Sequence, residues 1–330
     1  MGDVIHTTAA VRALRRALPH AEITLAVEQR WAEIVRNNPS LHHLIESSTQ
    51  TQVSLAYLAE IRRHLSRTTG FDVAIDFQGN RRSAAWVYLS GAPLKLGRGG
   101  FRPGWQYIKS PDFTKHAVLV CGEICRAIGM PADDLQPEIR TSPPEERQLD
   151  AALDAASLPR DGFVLLNPFS GWHSKSWPIE NAAEFLLEFR RQFAHRVILT
   201  GGPDEQGRAL QLLNLLGANA VPSVVGRLPL AQSLCLFRRA RLMVSCDSGP
   251  MHAAAALGVP VVALFGPTHP EHTGPWGANH SVVQALRPPR HHTYRTDSHA
   301  TYMRALTGRA VLDAVAAKLA EGEQERKCAG

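Results

Sequence analysis

Between positions 245 and 268 the chain reads SCDSGPMHAAAALGVPVVALFGPT, which sets an acid, a hydroxyl and a glycine (Asp247, Ser248, Gly249) at the mouth of a short alanine-rich helix. RLMVS before it has the composition of a buried strand, Pro250 suits the first helical position, and Gly258 followed by Pro260 ends the helix. Strand, tight turn and helix in this order put the helix amino end at the carboxyl edge of a parallel sheet, where ligands of open α/β sheets bind. Unpaired N–H groups and the helix dipole favour an anion there, by about 0.3–1 kcal/mol when exposed and up to about 2 when partly buried. The same residues have a plainer use, with Ser248 as a helix cap, Asp247 as acceptor for neighbouring N–H groups and His252 as a packed core histidine.

A second loop, NPFSGWHSKSWP (167–178), follows the strand FVLLN and carries Ser170 and Lys175. A lysine in such a loop neutralises phosphate oxygens, although one lone lysine is equally a solvated charge. A third, TGGPDE (200–205), follows RVILT and supplies Asp204 and Glu205. A carboxylate placed so either accepts hydrogen bonds from ribose hydroxyls or simply opens a helix. Together a dipole, a cation and a sugar-binding acid on one sheet edge describe a nucleoside-diphosphate site better than three unrelated turns do.

The elements that must position these loops alternate in type. The chain has 330 residues, 44% of them hydrophobic and 20% charged, enough for two α/β domains. After a polar start, Thr8 to Leu18 has helical periodicity; AEITLAVE (21–28) and FDVAIDF (71–77) read as strands, and HAVLV (116–120) as a strand or the opening of a helix. A proline-bounded polar stretch at 141–162 restarts the pattern, giving expected domains over 1–155 and 156–330. The second half alternates strands FVLLN, RVILT, VPSVV (221–225), RLMVS and VPVVALF (259–265) with helices over 181–193, 205–216, 230–240 and 250–257. Such alternation predicts parallel sheets covered by helices.

Composition narrows the function classes. Cys121, Cys125, Cys235, Cys246 and Cys328 form no CxxC pair, and Cys121 and Cys125 stand at helical spacing that suits core packing, so a reducing, cytoplasmic compartment is expected. The most apolar run, Met251 to Pro267, is broken by Gly258 and Pro260 and falls short of a bilayer span. Net charge is +6, which fits an acidic partner or merely a solvated surface. Aromatic residues do not interleave with the arginines, so nucleic acid is not an expected partner. The chain contains no HExxH, clustered carboxylates or Cys/His ligand spacing, so no metal or cofactor is expected; His291, His292 and His299 belong to a histidine-rich stretch that is either a metal site or a solvated loop.

NPFSGWHSKSWP, LTGGPDE, GRLPL and CDSGPMHAAAALGVPVVALFGPTHPEHTGPWG resemble, in order and spacing, the ADP-heptose:lipopolysaccharide heptosyltransferases of glycosyltransferase family 9. The likeness runs along nearly the whole chain and is most specific in the second half. It implies a GT-B fold, two Rossmann-like domains facing across a cleft, with the donor on the carboxyl-terminal one. It also implies Ser170 and Lys175 as donor-phosphate ligands, Glu205 as ribose ligand, the backbone from Gly226 to Leu228 against adenine, and Asp247, Ser248, Gly249 and His252 along the diphosphate and the transferred sugar. GDVIHTTAAVRAL resembles the family's amino-terminal motif, whose aspartate is Asp3 here, on a loop entering a helix; FDVAIDFQGNRRSA resembles the segment bordering the acceptor.

The implied reaction is inverting and metal-independent. Asp3 takes the proton of the acceptor hydroxyl, and Lys175 with the helix end at Ser248 meets the charge on departing ADP. The implied partners are ADP-heptose and an anionic lipopolysaccharide inner-core acceptor suited to Arg63, Arg81, Arg82 and Arg98, with peripheral contact at the inner face of the inner membrane. Family 9 transfer with another nucleotide sugar or acceptor, and a catalytically silent nucleotide-sugar binder, stand as alternatives. Family members begin with an apolar strand before the GDV motif, whereas this sequence starts at Met1, immediately before it. The first strand of the amino-terminal domain is thus missing from the pattern, and the expectation is a true start upstream, with an added strand raising stability and activity.

Overall fold

The computed structural model describes all residues except 51, 101, 110–113, 132, 290–299 and 330. The histidine-rich stretch with His291, His292 and His299 therefore lies outside the described residues. The chain divides into two compact units, Met1 with Asp3–Arg140 and Gly2 with Thr141–Gly330.

Along the first unit run α1 (Gly2–Ala17), β1 (Thr24–Glu28), β2 (His43–Ser47), α2 (Leu55–Leu65), β3 (Val73–Asp76), α3 (Arg81–Leu89), β4 (Leu94–Arg98), β5 (Tyr107–Lys109) and α4 (Ala117–Arg126). Helix α1 begins well before the expected Thr8, so Asp3 sits in its first turn and not on a loop. The His-Thr-Thr run stays helical because Thr7 Oγ1 donates to the Asp3 carbonyl at 2.8 Å and Thr8 Oγ1 to that of Ile5 at 2.6 Å. These back-bonds let Ile5 through Val11 be buried without a break, a helix enclosed on every side whose polar residues look like a loop in the sequence. HAVLV resolves as the start of α4, capped by His116, whose Nδ1 accepts the Val118 N–H at 3.2 Å.

The strands of this unit form two separate parallel sheets, β1–β2 and β3–β4–β5. Strands β1 and β3 each pair on one side only. Their burial is correspondingly thin: Val73 is 37% exposed, and Val27 and Asp76 are the fully buried positions of β1 and β3. A small core of Ala10, Leu14, Cys121 and Cys125, ringed by Ile23, Ile75 and Phe77, packs both sheets beneath α1 and α4. The two cysteines face this core as their spacing predicts, and burial pushes both thiols up to about 12.

In the second unit come α5 (Pro143–Ala155), β6 (Val164–Asn167), α6 (Ile179–Gln192), β7 (Val197–Leu199), α7 (Gln206–Leu216), α8 (Leu230–Arg239), β8 (Leu242–Cys246), α9 (Gly249–Ala256), β9 (Val261–Leu264), α10 (Pro270–Thr273), β10 (His280–Val283), α11 (Ala300–Arg304) and α12 (Gly308–Ala329). One parallel sheet in the order β10-β9-β8-β6-β7 carries the unit. Every residue of β6, β7, β8 and β9 is buried, the pattern of strands covered on both faces. Phe185 and Phe189 of α6 and Val311, Leu312, Val315 and Leu319 of α12 close a core over this sheet.

Two expectations change here. VPSVV is not a strand; it touches β7 through the single bridge of Leu199 and Ser223. Pro222 has no N–H to donate, and the chain turns away at Gly226, where φ is 65°. The units divide after Arg140, whereas the reading from the sequence places the boundary after residue 155. Helix α5 goes with the second unit because Arg239 of α8 pairs with its Glu146 at 2.6 Å and also with its Asp150.

Native-state hydrogen exchange reads the contrast between the units. Amides of β1 and β3 are expected to exchange far faster than those of β6 and β8, which have a strand on each side. Equal protection in both units, measured by mass spectrometry, contradicts this account.

Candidate active site

The chain goes from β6 outward to β7 on one side, then returns to place β8 on the other side of β6. That reversal makes the carboxyl ends of β6 and β8 a topological switch point, the crevice where open α/β sheets hold ligands. Ser170 and Lys175 follow β6, Asp247 and Ser248 follow β8, and Glu205 follows β7, the next strand along.

The loops meet through their side chains. Lys175 Nζ donates to Asp247 Oδ2 at 2.9 Å, with the side chains only 13% and 5% exposed. Thr268, beyond β9, donates its hydroxyl to the same oxygen at 2.8 Å. Ser170 Oγ lies 3.5 Å from the Asp247 carbonyl. Ser248 holds the N-cap position of α9, yet its side chain makes no capping bond. Instead it accepts from Asn167 Nδ2 at 3.2 Å and lies 3.4 Å from Ser245 Oγ. This removes the plainer use of Ser248 as a cap, so the Ser248 side chain satisfies none of the first N–H groups of α9. Asn167 is 1% exposed, and its Oδ1 has no partner among the described residues.

Arg208 of α7 ties the second loop to the third. It donates to Ser176 Oγ at 2.5 Å and to the Ser170 carbonyl at 3.1 Å, lies over the Phe169 ring at 5.1 Å, and approaches Glu205 at 4.0 Å. Glu205 accepts the Gly202 N–H at 2.7 Å, so its carboxylate folds back over the loop. Gly201 makes room for it, since a Cβ there would stand 2.5 Å from Glu205 Oε2. The Gly226 N–H donates to the Gly201 carbonyl at 3.0 Å, bringing the turn that leads to Leu228 against the same edge. His252 is buried, one turn into α9. Cys246, wholly enclosed beside this edge, has its thiol pushed up to about 12 by burial and serves packing.

The family profile described as glycosyltransferase family 9 (heptosyltransferase) matches residues 58–303. The chain belongs to glycosyltransferase family 9. A lipopolysaccharide heptosyltransferase 1 of Pseudomonas aeruginosa is 30% identical over 298 residues, 84% of this chain and 79% of that protein. The solved family 9 glycosyltransferase of Veillonella parvula superposes with a TM-score of 0.87 at 24% identity, covering 97% of this chain and 95% of that one. Escherichia coli heptosyltransferase WaaC, solved with ADP, does so with a TM-score of 0.72 at 23% identity, covering 96% and 97%. The structural likeness establishes the GT-B class of fold.

In the first unit of this family 9 transferase the arginines differ in availability. Arg82 is held by Glu28 at 2.6 Å and by the Gln50 carbonyl, because α3 begins beside the end of β1. Arg63, in the last turn of α2, and Arg81, at the start of α3, are exposed. Arg98 ends β4 half-buried, with its side chain against Gly79, where a Cβ would meet Arg98 Cγ at 2.9 Å. Asp3, exposed in the first turn of α1, belongs to the same unit. Among the described residues no group of His, Cys, Asp and Glu has the arrangement of a metal site.

Asn167, Arg208 and Thr268 escaped the sequence reading. Asn167 closes an apolar strand, where a polar residue at the carboxyl end is the one available signal. Arg208 sits on an exposed-looking helix turn and Thr268 in a proline-rich loop, and only the strand order brings them in.

Burial raises the carboxyl of Glu205 above its ordinary value, partly offset by the Gly202 N–H and by Arg208. An acid raised in the folded state binds more protons folded than unfolded, so its contribution to stability declines as pH rises through that raised value. Glu205→Gln is expected to melt higher at neutral pH than the parent while binding adenosine more weakly. A lower melting temperature together with unchanged adenosine affinity refutes both halves.

Proposed function

We propose that the chain is an inverting transferase that moves heptose from ADP-heptose to an anionic lipopolysaccharide inner-core acceptor. The observation that carries this is the Lys175–Asp247 pair beside the uncapped start of α9, at the switch point of a parallel sheet. A part-buried ammonium and a set of helix N–H groups suit the two phosphates of a nucleoside diphosphate, and Ser170 and Gly249 border the same place. Glu205 takes the ribose hydroxyls, and the backbone from Gly226 to Leu228 receives the adenine. Asp247, Ser248 and His252 line the transferred sugar.

In the reaction the acceptor hydroxyl attacks the anomeric carbon from the face opposite the phosphate, giving inversion. Asp3 takes its proton as the carbon–oxygen bond to ADP breaks, and the leaving phosphate oxygen is met by Lys175 and the α9 N-terminus. Arg63, Arg81 and Arg98 attract the phosphates and carboxylates of the acceptor, and Arg82 stays with Glu28 unless the acceptor displaces it. No helix among the described residues is long and apolar enough to cross a membrane; the proposed working place is the cytoplasm, with peripheral contact at the inner face of the inner membrane.

A thermal-shift screen with ADP-, UDP- and GDP-sugars, followed by a transfer assay on lipopolysaccharide inner-core acceptors, tests the reading. ADP-heptose is expected to give the largest shift and to be consumed only when acceptor is present. A preference for UDP- or GDP-sugars assigns a different donor, and binding without transfer reduces the protein to a nucleotide-sugar binder.

A further inference from the structure

Asp247 Oδ2 takes two donors at once, Lys175 Nζ at 2.9 Å and Thr268 Oγ1 at 2.8 Å. Thr268 is 8% exposed and stands on a loop fixed from outside the site. Gln284, just beyond β10, donates to the Thr268 carbonyl at 2.9 Å and to that of Gly266 at 3.2 Å. Met303 packs so closely on Gly266 that a Cβ there would stand 2.5 Å from its sulfur. The hydroxyl is therefore delivered to Asp247 by a braced backbone and not by a flexible tip.

We propose that Thr268 is a positioning residue for the donor site, acting through Asp247 to keep the Lys175 ammonium available to the phosphates of a nucleoside diphosphate. The proposal rests on the reading of this site as the donor site. A carboxylate oxygen shared by two donors grips each less firmly than it grips one. With the hydroxyl gone, the buried oxygen has only the ammonium to neutralise it, and the ion pair tightens. The bare carboxylate also repels an incoming phosphate more strongly, since less of its charge is compensated. Both effects act in the same direction. They weaken binding of the phosphates and leave the nucleoside untouched.

The test measures ADP and adenosine affinities side by side by calorimetry, on the full chain. Thr268→Val is expected to raise the Kd for ADP about tenfold, the loss of one charge-assisted hydrogen bond's influence, while adenosine affinity stays as in the parent. Thr268→Ser, which keeps the hydroxyl, is expected to restore ADP binding. With ADP-heptose, the valine variant raises KM and leaves kcat little changed. In an Asp247→Asn background, where no carboxylate charge is left to share, the Thr268→Val effect disappears. Equal weakening of ADP and adenosine, or no change in ADP, overturns the role of Thr268 while leaving the donor site standing. A parent protein that binds no ADP overturns the donor-site reading, and Thr268's role with it. Should the valine variant fold poorly, Thr268→Ala and its serine counterpart give the same comparison.

Discussion

Replacing Lys175 by Met is expected to cut turnover of ADP-heptose by on the order of 10²–10³, the usual cost of removing one preorganised donor from a developing negative charge. The ammonium lies 2.9 Å from Asp247 with its side chain 13% exposed, so bulk water screens it little. Its loss has a second consequence. Asp247 remains buried with Thr268 as a neutral partner, and an orphaned buried charge of this kind costs about 3–5 kcal/mol of stability. The two effects separate in the double variant with Asp247→Asn, which relieves the stranded charge. Stability is then expected to return towards that of the parent, and turnover is not. Recovery of turnover along with stability, in steady-state assays and thermal melts of the single and double variants, shows that Lys175 has only a structural place.

Replacing Asp3 by Asn is expected to lower the rate by roughly 10²–10⁴ while leaving ADP affinity unchanged, because in the proposed reaction a general base acts on the acceptor proton and the residues proposed to hold the nucleotide belong to the other unit. The substitution keeps the shape of the side chain. Asp3 lies in the first turn of α1, where a negative charge favours the helix start, so about 0.3–1 kcal/mol of stability goes with the charge. That is too little to explain a rate loss of this size. An unchanged transfer rate removes Asp3 from the chemistry, and a parallel fall in ADP affinity places it with the donor instead.

Local pattern carried much of the architecture and of the site. Strands with continuous apolar runs, such as FVLLN and RLMVS, declare parallel burial by composition, and the DSG turn before an alanine-rich run declares the start of a helix at the sheet edge. Patterns failed where polar residues satisfy themselves locally. The Thr7 and Thr8 back-bonds hid the first turns of α1, and proline with Gly226 dissolved the expected strand at 221–225. The domain boundary moved because ion pairs from Arg239 hold α5 to α8, an attraction between residues some ninety positions apart that no local window contains.

From the sequence alone follow the class of fold, the family likeness, the types of loop that could hold a nucleotide sugar, and the residues Ser170, Lys175, Glu205, Asp247 and Ser248 within them. Those are properties of short segments, set by backbone preference and side-chain chemistry. Strand order alone decided that the loops meet, because the crossing from β7 back over β6 to β8 brings residues 175 and 247 within hydrogen-bond distance. It also decided that Ser248 leaves its helix uncapped in favour of Asn167, that Arg208 braces two loops, and that Thr268 shares the oxygen on which Lys175 rests. Hydrogen bonds and ion pairs between distant segments depend on ångström-scale placement, and that placement exists only once the sheet has packed.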